Sequence, residues 1–227
     1  MAVHQPTRGA SVCVMTAVFG GYDTPKPLPA QDIACDAVLI TDRPATTPGW
    51  RNLVARLPAG TLPRMAAKWP RCRPDRFTDA DVVVWLDGHI EVRSPSLIRE
   101  LVEQLGDGVI GAFRHPFHTT ISEEAKLAST LAKYAGWDLS RQVDAYLAAG
   151  LPDDWGLWAT GVMVRRPAAT VEFGEMWQSE IDTWGPEDQI SLPYALWATA
   201  TPIVDLPFDG WWNGDRFMLH PHNDGTR

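Results

Sequence analysis

The chain has little cysteine, and what it has is scattered. Cys13, Cys35 and Cys72 are the only three in 227 residues, and no two of them form a CxxC pair. An odd number without paired spacing does not suit a disulfide framework. The sequence therefore predicts reduced, structural thiols, which are typical of the cytoplasm.

Long apolar runs are also missing. The apolar segment at residues 12–19 is far shorter than the roughly 20 residues that a membrane-spanning helix needs. Residues 1–10 lack the charged start and apolar core of a signal sequence, and we expect them to be flexible. These absences predict a soluble, cytoplasmic protein without a membrane span.

An excess of positive charge is absent as well. The chain carries 20 basic and 28 acidic residues, a formal net charge of −8, so its surface offers no general attraction for nucleic acid or anionic membranes. Basic side chains nevertheless gather in one segment: Arg64, Lys68, Arg71, Arg73 and Arg76. By itself such a cluster is either a solvated face or an anion-binding surface.

Several signature motifs do not occur. Without GxGxxG or GxxxxGK[ST], dinucleotide-binding and P-loop chemistry are disfavoured, and without GxSxG there is no serine nucleophile elbow. No repeat or low-complexity linker divides the chain, and 45% of its residues are hydrophobic. We expect residues 1–227 to form one domain with a sizeable core.

What the sequence does contain is an alternation of strand-like and helix-like segments. Apolar runs and β-branched residues predict strands at 11–19, 36–41, 52–57, 82–86, 109–113 and 158–165. Amphipathic patterns and capping residues predict helices at 64–71, 94–105, 122–134, 141–149, 167–184 and 187–199. This alternation predicts an α/β fold with a mostly parallel central sheet flanked by helices. Residues 202–227 are predicted to be an ordered tail over the sheet and its active site.

One predicted central strand ends in polar residues. In the segment DVVVWLDGHIEV (81–92), the apolar run leads directly into Asp87, Gly88 and His89. Open α/β sheets bind ligands at the carboxyl ends of their strands, and Gly88 would let a ligand approach the backbone. Asp87 and His89 point the same way in an extended chain and could bind Mn²⁺, Mg²⁺ or Zn²⁺. The alternative is a strand-end turn that Asp87 caps, with His89 exposed.

Further polar groups follow other predicted elements. Two histidines near the C-terminus offer a third metal ligand, and we prefer His222 over His220. Tyr22 and Asp23, after the first strand, could stack on a base and accept a ribose hydroxyl, although a plain turn also fits. Glu187 and Asp188 could supply a general base or orient sugar hydroxyls, or could simply cap a helix. His115, Glu123 and Glu124 form a similar group after the strand at 109–113.

Seven stretches, taken in order, resemble a known family. They are TAVFGGYDTPKPL (16–28), RMAAKWPRC (64–72), DVVVWLDGHIEV (81–92), FRHP (113–116), SEEA (122–125), GLWATGVMVRR (156–166) and EDQISLPYALW (187–197). The family was long described as a domain of unknown function, has bacterial and mucilage-related plant members, and is now placed among GT-A-type glycosyltransferases. The resemblance implies a GT-A-like, Rossmann-like fold and transfer of a sugar from a UDP- or GDP-sugar to an unidentified acceptor.

The resemblance also implies roles for particular residues. Asp87 would occupy the aspartate position of the DxD motif, whose second acid is replaced here by His89. The implied metal is Mn²⁺ or Mg²⁺, on the ligands Asp87, His89 and His222. The nucleotide-sugar would contact these residues: Phe19, Gly20, Tyr22, Asp23, Arg64, Lys68, Asp87 and Gly88. Arg64 and Lys68 would reach the diphosphate.

The resemblance also implies which residues lie at the reacting sugar, and they are in the stretch that begins at Trp184. Trp-Gly-x-Glu-Asp is similar to inverting galactosyltransferases, in which an acid deprotonates the acceptor. Asp-Gln is similar to retaining GT-A enzymes, in which the pair lines the sugar. Glu187, Asp188 and Gln189 are therefore the implied catalytic residues, with the stereochemical outcome open. The residues expected at the acceptor or sugar are His115, Glu124 and Gly161.

Two rival functions stay open. A nucleotidyltransferase acting on sugar phosphates would share the fold and the metal, but GGYDTPKPL fits its glycine-rich, basic signature poorly. A non-catalytic carbohydrate-binding protein could use some of the 11 tryptophans. That alternative leaves Asp87 and the Arg64–Lys68 pair unexplained.

Overall fold

The central sheet is built from the apolar runs of the sequence. The structure is a computed structural model and describes residues 10–58, 60–207 and 214–223. Its seven-stranded sheet has the order β3-β2-β1-β4-β7-β6-β8. The strands are β1 (Val12–Val18), β2 (Asp36–Thr41), β3 (Arg51–Val54), β4 (Val82–Leu86), β6 (Ile110–Arg114), β7 (Trp158–Arg165) and β8 (Val204–Leu206).

One strand of this sheet runs against the others. β1 to β4 are mutually parallel, β7 is antiparallel to both β4 and β6, and β8 is parallel to β6. Of the seven strands, β7 alone is therefore reversed. The prediction of an α/β fold with a mostly parallel sheet is confirmed.

Helices cover both faces of the sheet. They are α1 (Pro63–Cys72), α2 (Leu97–Leu105), α3 (Ile121–Ala128), α4 (Leu139–Ala148), α5 (Val171–Trp184) and α6 (Asp188–Ala198). Alternate residues of β1 enter two different cores: Cys13 and Met15 pack with α1, α5 and α6, while Val12 and Val14 pack with α2. Among the described helices, none has the length and apolar character needed to cross a membrane.

The helix at 122–134 was predicted too long. α3 ends at Ala128, and a separate 3₁₀ turn spans Ala132–Tyr134. The hydroxyls of Ser129 and Thr130 donate to the carbonyls of Ala125 and Leu127, both at 2.7 Å. These bonds satisfy carbonyls in the last turn locally, so the hydroxyl residues end the helix.

A small second sheet was not predicted. β5 (Ile90–Val92) pairs antiparallel with β9 (Phe217–Leu219), and each has only three residues, which is too short for a clear periodic signal. The pairing holds the C-terminal segment beside the Asp87 turn. Residues 1–9, 208–213 and 224–227 lie outside the described residues, and with them part of the segments predicted as a flexible start and an ordered tail.

The cysteines are unpaired in the structure. Cys13 and Cys72 are buried, and Cys35 is half-buried. Burial raises the pKa of the Cys13 thiol to about 11 and that of Cys72 to about 12. Both therefore stay protonated and unreactive, as packed structural thiols do.

The C-terminal end of α1 is fixed by α5 and β7. The buried Arg165 guanidinium donates to the carbonyls of Arg71 at 2.8 Å and Cys72 at 3.1 Å. Gly174 lies so close to the Cys72 carbonyl that a Cβ on it would collide with that oxygen. The absent side chain is what lets α5 close onto α1.

We expect Gly174→Ala to destabilise the fold by about 1–3 kcal/mol, the usual range for overpacking a close contact. Denaturant unfolding measures the change. Ser179→Ala is the matched control, since Ser179 is exposed on the same helix, and its effect should stay within about 0.5 kcal/mol. Equal stability of the two variants would contradict the proposed close approach.

Candidate active site

A cleft of about 330 Å³ opens at the carboxyl ends of β1 and β4. Helix α1 forms one wall, and the start of α6 and the segment around α3 form the other. The sequence-predicted residues that line it are Phe19, Tyr22, Asp23, Arg64, Lys68, Asp87, Gly88, His89, His115, Glu124, Gly161, Glu187, Asp188, Gln189 and His222. Gly20 is not in this lining. It forms a turn with φ 62°, and its N–H donates to Asp42 Oδ2 at 3.1 Å.

Arg71 is the centre of the site, and the sequence reasoning did not assign it a role. Its side chain is 2% exposed. Its guanidinium donates to Asp87 Oδ1 at 3.3 Å and to the Thr160 carbonyl at 3.1 Å, and it also pairs with Asp188. The spacing of Arg64, Lys68 and Arg71 in α1 puts all three on one helix face. That spacing was the available signal.

Lys68 shares its counter-ion with Arg71. Its ammonium donates to Asp188 Oδ2 at 2.9 Å, the same oxygen that Arg71 contacts. Burial and the charge of Arg71 lower the pKa of Lys68 from 10.5 to about 7. The negative charge around Lys68 is therefore too small to stabilise its ammonium form fully, and an anionic ligand would add to it.

Asp87 stands at the end of β4 as an ionised carboxylate. Burial raises its pKa, but Arg71, His89 and Lys68 together outweigh burial, so the pKa lies below its usual value. The Trp85 indole also donates to Oδ1 at 2.8 Å. The Oδ1 atom of Asp87 is thus already hydrogen-bonded to protein groups.

The two predicted glycines allow close packing around Asp87. A Cβ on Gly88 would lie 2.5 Å from Val18 Cγ2, and one on Gly161 would lie 3.5 Å from Asp87 Oδ2. Gly88 is therefore required by the contact between the turn and β1. The sequence analysis expected Gly88 to let a ligand approach the backbone, and the missing side chain would allow that approach as well.

Three potential metal ligands meet beside Asp87. Asp23, His89 and His222 place one ligand atom each within 4.8 Å of one another. His222 Nδ1 lies 2.6 Å from Asp23 Oδ1. Among the described residues, His89 Nδ1 is buried and has no hydrogen-bond partner, while burial lowers the His89 pKa and keeps the ring neutral. A neutral imidazole with an unused nitrogen fits a metal ligand.

The predicted ligand set is therefore only partly brought together. His89 and His222 meet, but the third member of the group is Asp23, which was expected to hold a ribose. Asp87 is engaged by Arg71 instead. His220 Nε2 lies 2.8 Å from Glu91 Oε2, on the β5–β9 pair, which accords with the preference for His222.

The end of the cleft formed by Tyr22, Arg64 and His222 is aromatic and basic. The Tyr22 ring lies 4.7 Å from the His222 ring and 5.9 Å from the Arg64 guanidinium carbon. Arg64 also covers the Tyr134 ring at 4.8 Å. Phe19 is buried, so only part of it can contact a ligand.

A second polar group lies across the cleft from α1. Glu124 is bonded to His118 and Gln189, and His115 lies beside it. His118 was not predicted; its position three residues after His115, in the same loop before α3, was the available signal. Glu123 instead joins Thr120 in a capping box at the start of α3, which makes its role structural.

Glu187 and Asp188 combine capping with a place in the cleft. Glu187 accepts a hydrogen bond from the Gln189 N–H at 3.1 Å and so caps α6. Asp188 binds Lys68, Arg71 and the Thr160 hydroxyl. The capping explanation from the sequence therefore applies to Glu187, and Asp188 belongs to the ion network.

Comparisons with known proteins agree with this architecture. The sequence model of the TOD1/MUCI70 family, described as a glycosyltransferase-like domain, matches residues 30–206. Among solved structures, the apo bifunctional glycosyltransferase WbbM is similar, with a TM-score of 0.52 and 15% identity over 89% of this chain and 40% of that one. The chain thus spans less than half of that structure, and a likeness at this identity shows the fold alone. Among curated proteins, none has a sequence that matches.

The family match covers most of the chain and confirms the resemblance drawn from the sequence. The shared glycosyltransferase fold and the cleft at the strand ends agree with it. The chain belongs to the TOD1/MUCI70 family of glycosyltransferase-like domains.

Proposed function

We propose that the protein transfers a sugar from a nucleoside-diphosphate donor to a hydroxyl group of an acceptor. One observation carries the proposal. In a chain of net charge −8, a row of cations on α1 faces a cleft at the carboxyl ends of β1 and β4. A diphosphate is the ligand that such a row would neutralise, and parallel α/β sheets bind nucleotides at these strand ends.

The proposed pose follows the polarity of the cleft. The base and ribose lie at Phe19 and Tyr22, and the diphosphate lies along α1. Arg64 and Lys68 donate to its oxygens, and the lowered pKa of Lys68 supports this assignment. Charge developing on the departing diphosphate is then met by cations already in place, without reorganisation.

The sugar lies in this pose between Asp87 and the start of α6. Asp188 holds Lys68 and Arg71, so its role is to position the cations and the donor. Its oxygens are taken by these partners and by Thr160, which disfavours proton removal by this acid. Glu187 and Gln189 lie next to Asp188 on the same side of the cleft, and they orient the sugar hydroxyls.

A divalent cation, Mn²⁺ or Mg²⁺, fits the ligand group beside Asp87. His89 and His222 would hold it, with Asp23 or Asp87 as the carboxylate ligand. The open nitrogen of His89 is the observation that supports this choice. When bound, such an ion supplies positive charge next to the diphosphate.

A donor screen tests the proposed function. The protein is incubated with a panel of UDP- and GDP-sugars, with and without Mn²⁺, and release of UDP or GDP is measured with water or glycerol as acceptor. We expect slow release from at least one donor. Release from none, or consumption of a sugar 1-phosphate with a nucleoside triphosphate, would contradict the proposal, the latter in favour of a nucleotidyltransferase.

Lys68→Ala should weaken UDP or GDP binding by about 1–3 kcal/mol, the range for losing a charge-assisted hydrogen bond. Calorimetry measures the affinity. Lys126→Ala is the matched control, because Lys126 is exposed on α3 and does not line the cleft. Equal affinity in both variants would contradict a contact between Lys68 and the diphosphate and would leave the α1 cations with a structural role only.

Nucleotide binding should also depend on pH through Lys68. With a pKa of about 7 in the free protein, Lys68 is charged below pH 7 and mostly neutral above it. A bound diphosphate raises this pKa, so binding takes up a proton and affinity falls as the pH rises above about 7. Calorimetry at pH 8 in buffers of different ionisation enthalpy measures the uptake. Lys68→Met should abolish it, and an unchanged uptake in that variant would exclude Lys68 as its source.

His222→Ala should remove any strengthening of nucleotide binding by Mn²⁺. The imidazole is one of the proposed ligands, whereas His220 is bound to Glu91 and provides the control variant His220→Ala. Calorimetry with and without Mn²⁺ gives the comparison, and Mn²⁺ binding alone can be followed by electron paramagnetic resonance. A full Mn²⁺ effect in His222→Ala would rule out this ligand.

A further inference from the structure

We propose that Glu124 is the general base that takes the proton from the acceptor hydroxyl. The inference rests on the proposed function and names a role for one residue of the same cleft. Glu124 lies on α3 and lines the same cleft as the cations of α1. Its carboxylate is contacted by His118, His115 and Gln189, and among the described residues it forms no ion pair with an arginine or lysine.

The hydrogen bonds around Glu124 fix its orientation. His118 Nδ1 lies 2.8 Å from Oε2, and the Gln189 side-chain amide donates to Oε1 at 3.3 Å. His115 Nε2 lies 3.5 Å from Oε2. Two bonds from different elements, the loop before α3 and the start of α6, hold the carboxylate in one position, as a general base requires.

The tautomer of His115 makes this group a proton site rather than a metal site. The backbone N–H of His118 donates to His115 Nδ1 at 3.0 Å, so the proton of the neutral ring is on Nε2, the nitrogen that faces Glu124. Burial lowers the pKa of His115 to about 4, and the ring is neutral at ordinary pH. A metal at Nε2 would need that proton removed with no site for it on Nδ1. The cluster of His115, His118 and Glu124 therefore fits a metal poorly.

The electrostatic surroundings make Glu124 a stronger base than an ordinary glutamate. Burial raises its pKa, Glu187 on α6 raises it further, and His118 and Lys133 oppose the change without cancelling it. Tyr134, after α3, completes the titratable groups coupled to Glu124, and its pKa is raised well above normal, mainly by burial. A higher proton affinity brings a general base closer to its operating pH.

The other carboxylates of the cleft are less suited to this step. Asp188 and Asp87 are bound to Arg71, and the pKa of Asp87 is below its usual value. Asp23 lies against His222, and Glu187 is 2% exposed and caps α6. Glu124, by contrast, forms no ion pair with an arginine or lysine among the described residues, and its pKa is raised by burial and by Glu187.

The step balances without a further reactant. The acceptor O–H bond breaks, its proton goes to a carboxylate oxygen of Glu124, and the acceptor oxygen forms a bond to the anomeric carbon. The bond from that carbon to the diphosphate breaks, and its electron pair leaves with the nucleotide. His118 and Gln189 are positioning residues in this step.

The test compares Glu124→Gln with Glu123→Gln, an adjacent glutamate whose capping role glutamine can keep. Using the donor that the screen identifies and glycerol as acceptor, we expect Glu124→Gln to lose at least about a hundredfold in turnover, and to bind UDP or GDP as the wild type does. The acidic limb of the wild-type pH–rate profile should disappear in this variant. Glu123→Gln should keep both the rate and the limb.

A second variant separates catalysis from structure. In Glu124→Ala, added formate should restore turnover in proportion to its concentration, because a small carboxylate can enter the vacated space and accept the proton. Unchanged turnover in Glu124→Gln, or a loss with neither formate rescue nor a change in the pH profile, overturns the proposal. Loss of bound metal in Glu124→Gln, measured by plasma mass spectrometry, also overturns it. If the wild type neither binds UDP or GDP nor releases nucleotide from any donor, the proposed function fails, and this inference with it.

Discussion

The site depends on one buried cation, the guanidinium of Arg71. It is 2% exposed and touches Asp87 at the end of β4, Thr160 on β7 and Asp188 at the start of α6. A buried charge is costly unless it is paired and hydrogen-bonded, so the folded state must bring these partners together. Arg71 therefore couples the packing of α1 to the position of two carboxylates that come from distant parts of the sequence.

Both signs of charge line the cleft around this network. Cations lie along α1, where Arg71 and Lys68 share Asp188 and leave Lys68 short of negative charge. Burial and the neighbouring Glu187 raise the pKa of Glu124, and the nearby Lys133 opposes this change only in part. In the proposed function, the diphosphate of the donor is matched by the cations of α1, and the acceptor hydroxyl is matched by Glu124.

The sequence predicted the parts that depend on local pattern. Five consecutive apolar residues followed by Asp87 are a strong signal for a central strand, and Val82–Leu86 forms the buried strand β4. Pairings between distant segments have no such signal: the paired residues of the three-residue strands β5 and β9 are 125 to 129 positions apart in the sequence, from Val92 with Phe217 to Ile90 with Leu219.

The same difference between local pattern and contacts of distant segments applies to the site residues. Arg71 was visible as part of a basic cluster, but its burial and its partners are set by tertiary packing. No sequence signal places Asp23 beside His89 and His222, because this contact depends on where the C-terminal segment returns. His118 was missed because its role comes from a hydrogen bond to Glu124, six residues further along the chain.

The most direct test of the account is a crystal structure of the protein with UDP or GDP and Mn²⁺. We expect the diphosphate to lie along α1, with its oxygens within hydrogen-bond distance of Lys68 Nζ and the Arg64 guanidinium, and the base to lie near Tyr22. Nucleotide bound away from this cleft, or a diphosphate that contacts neither Arg64 nor Lys68, would contradict it.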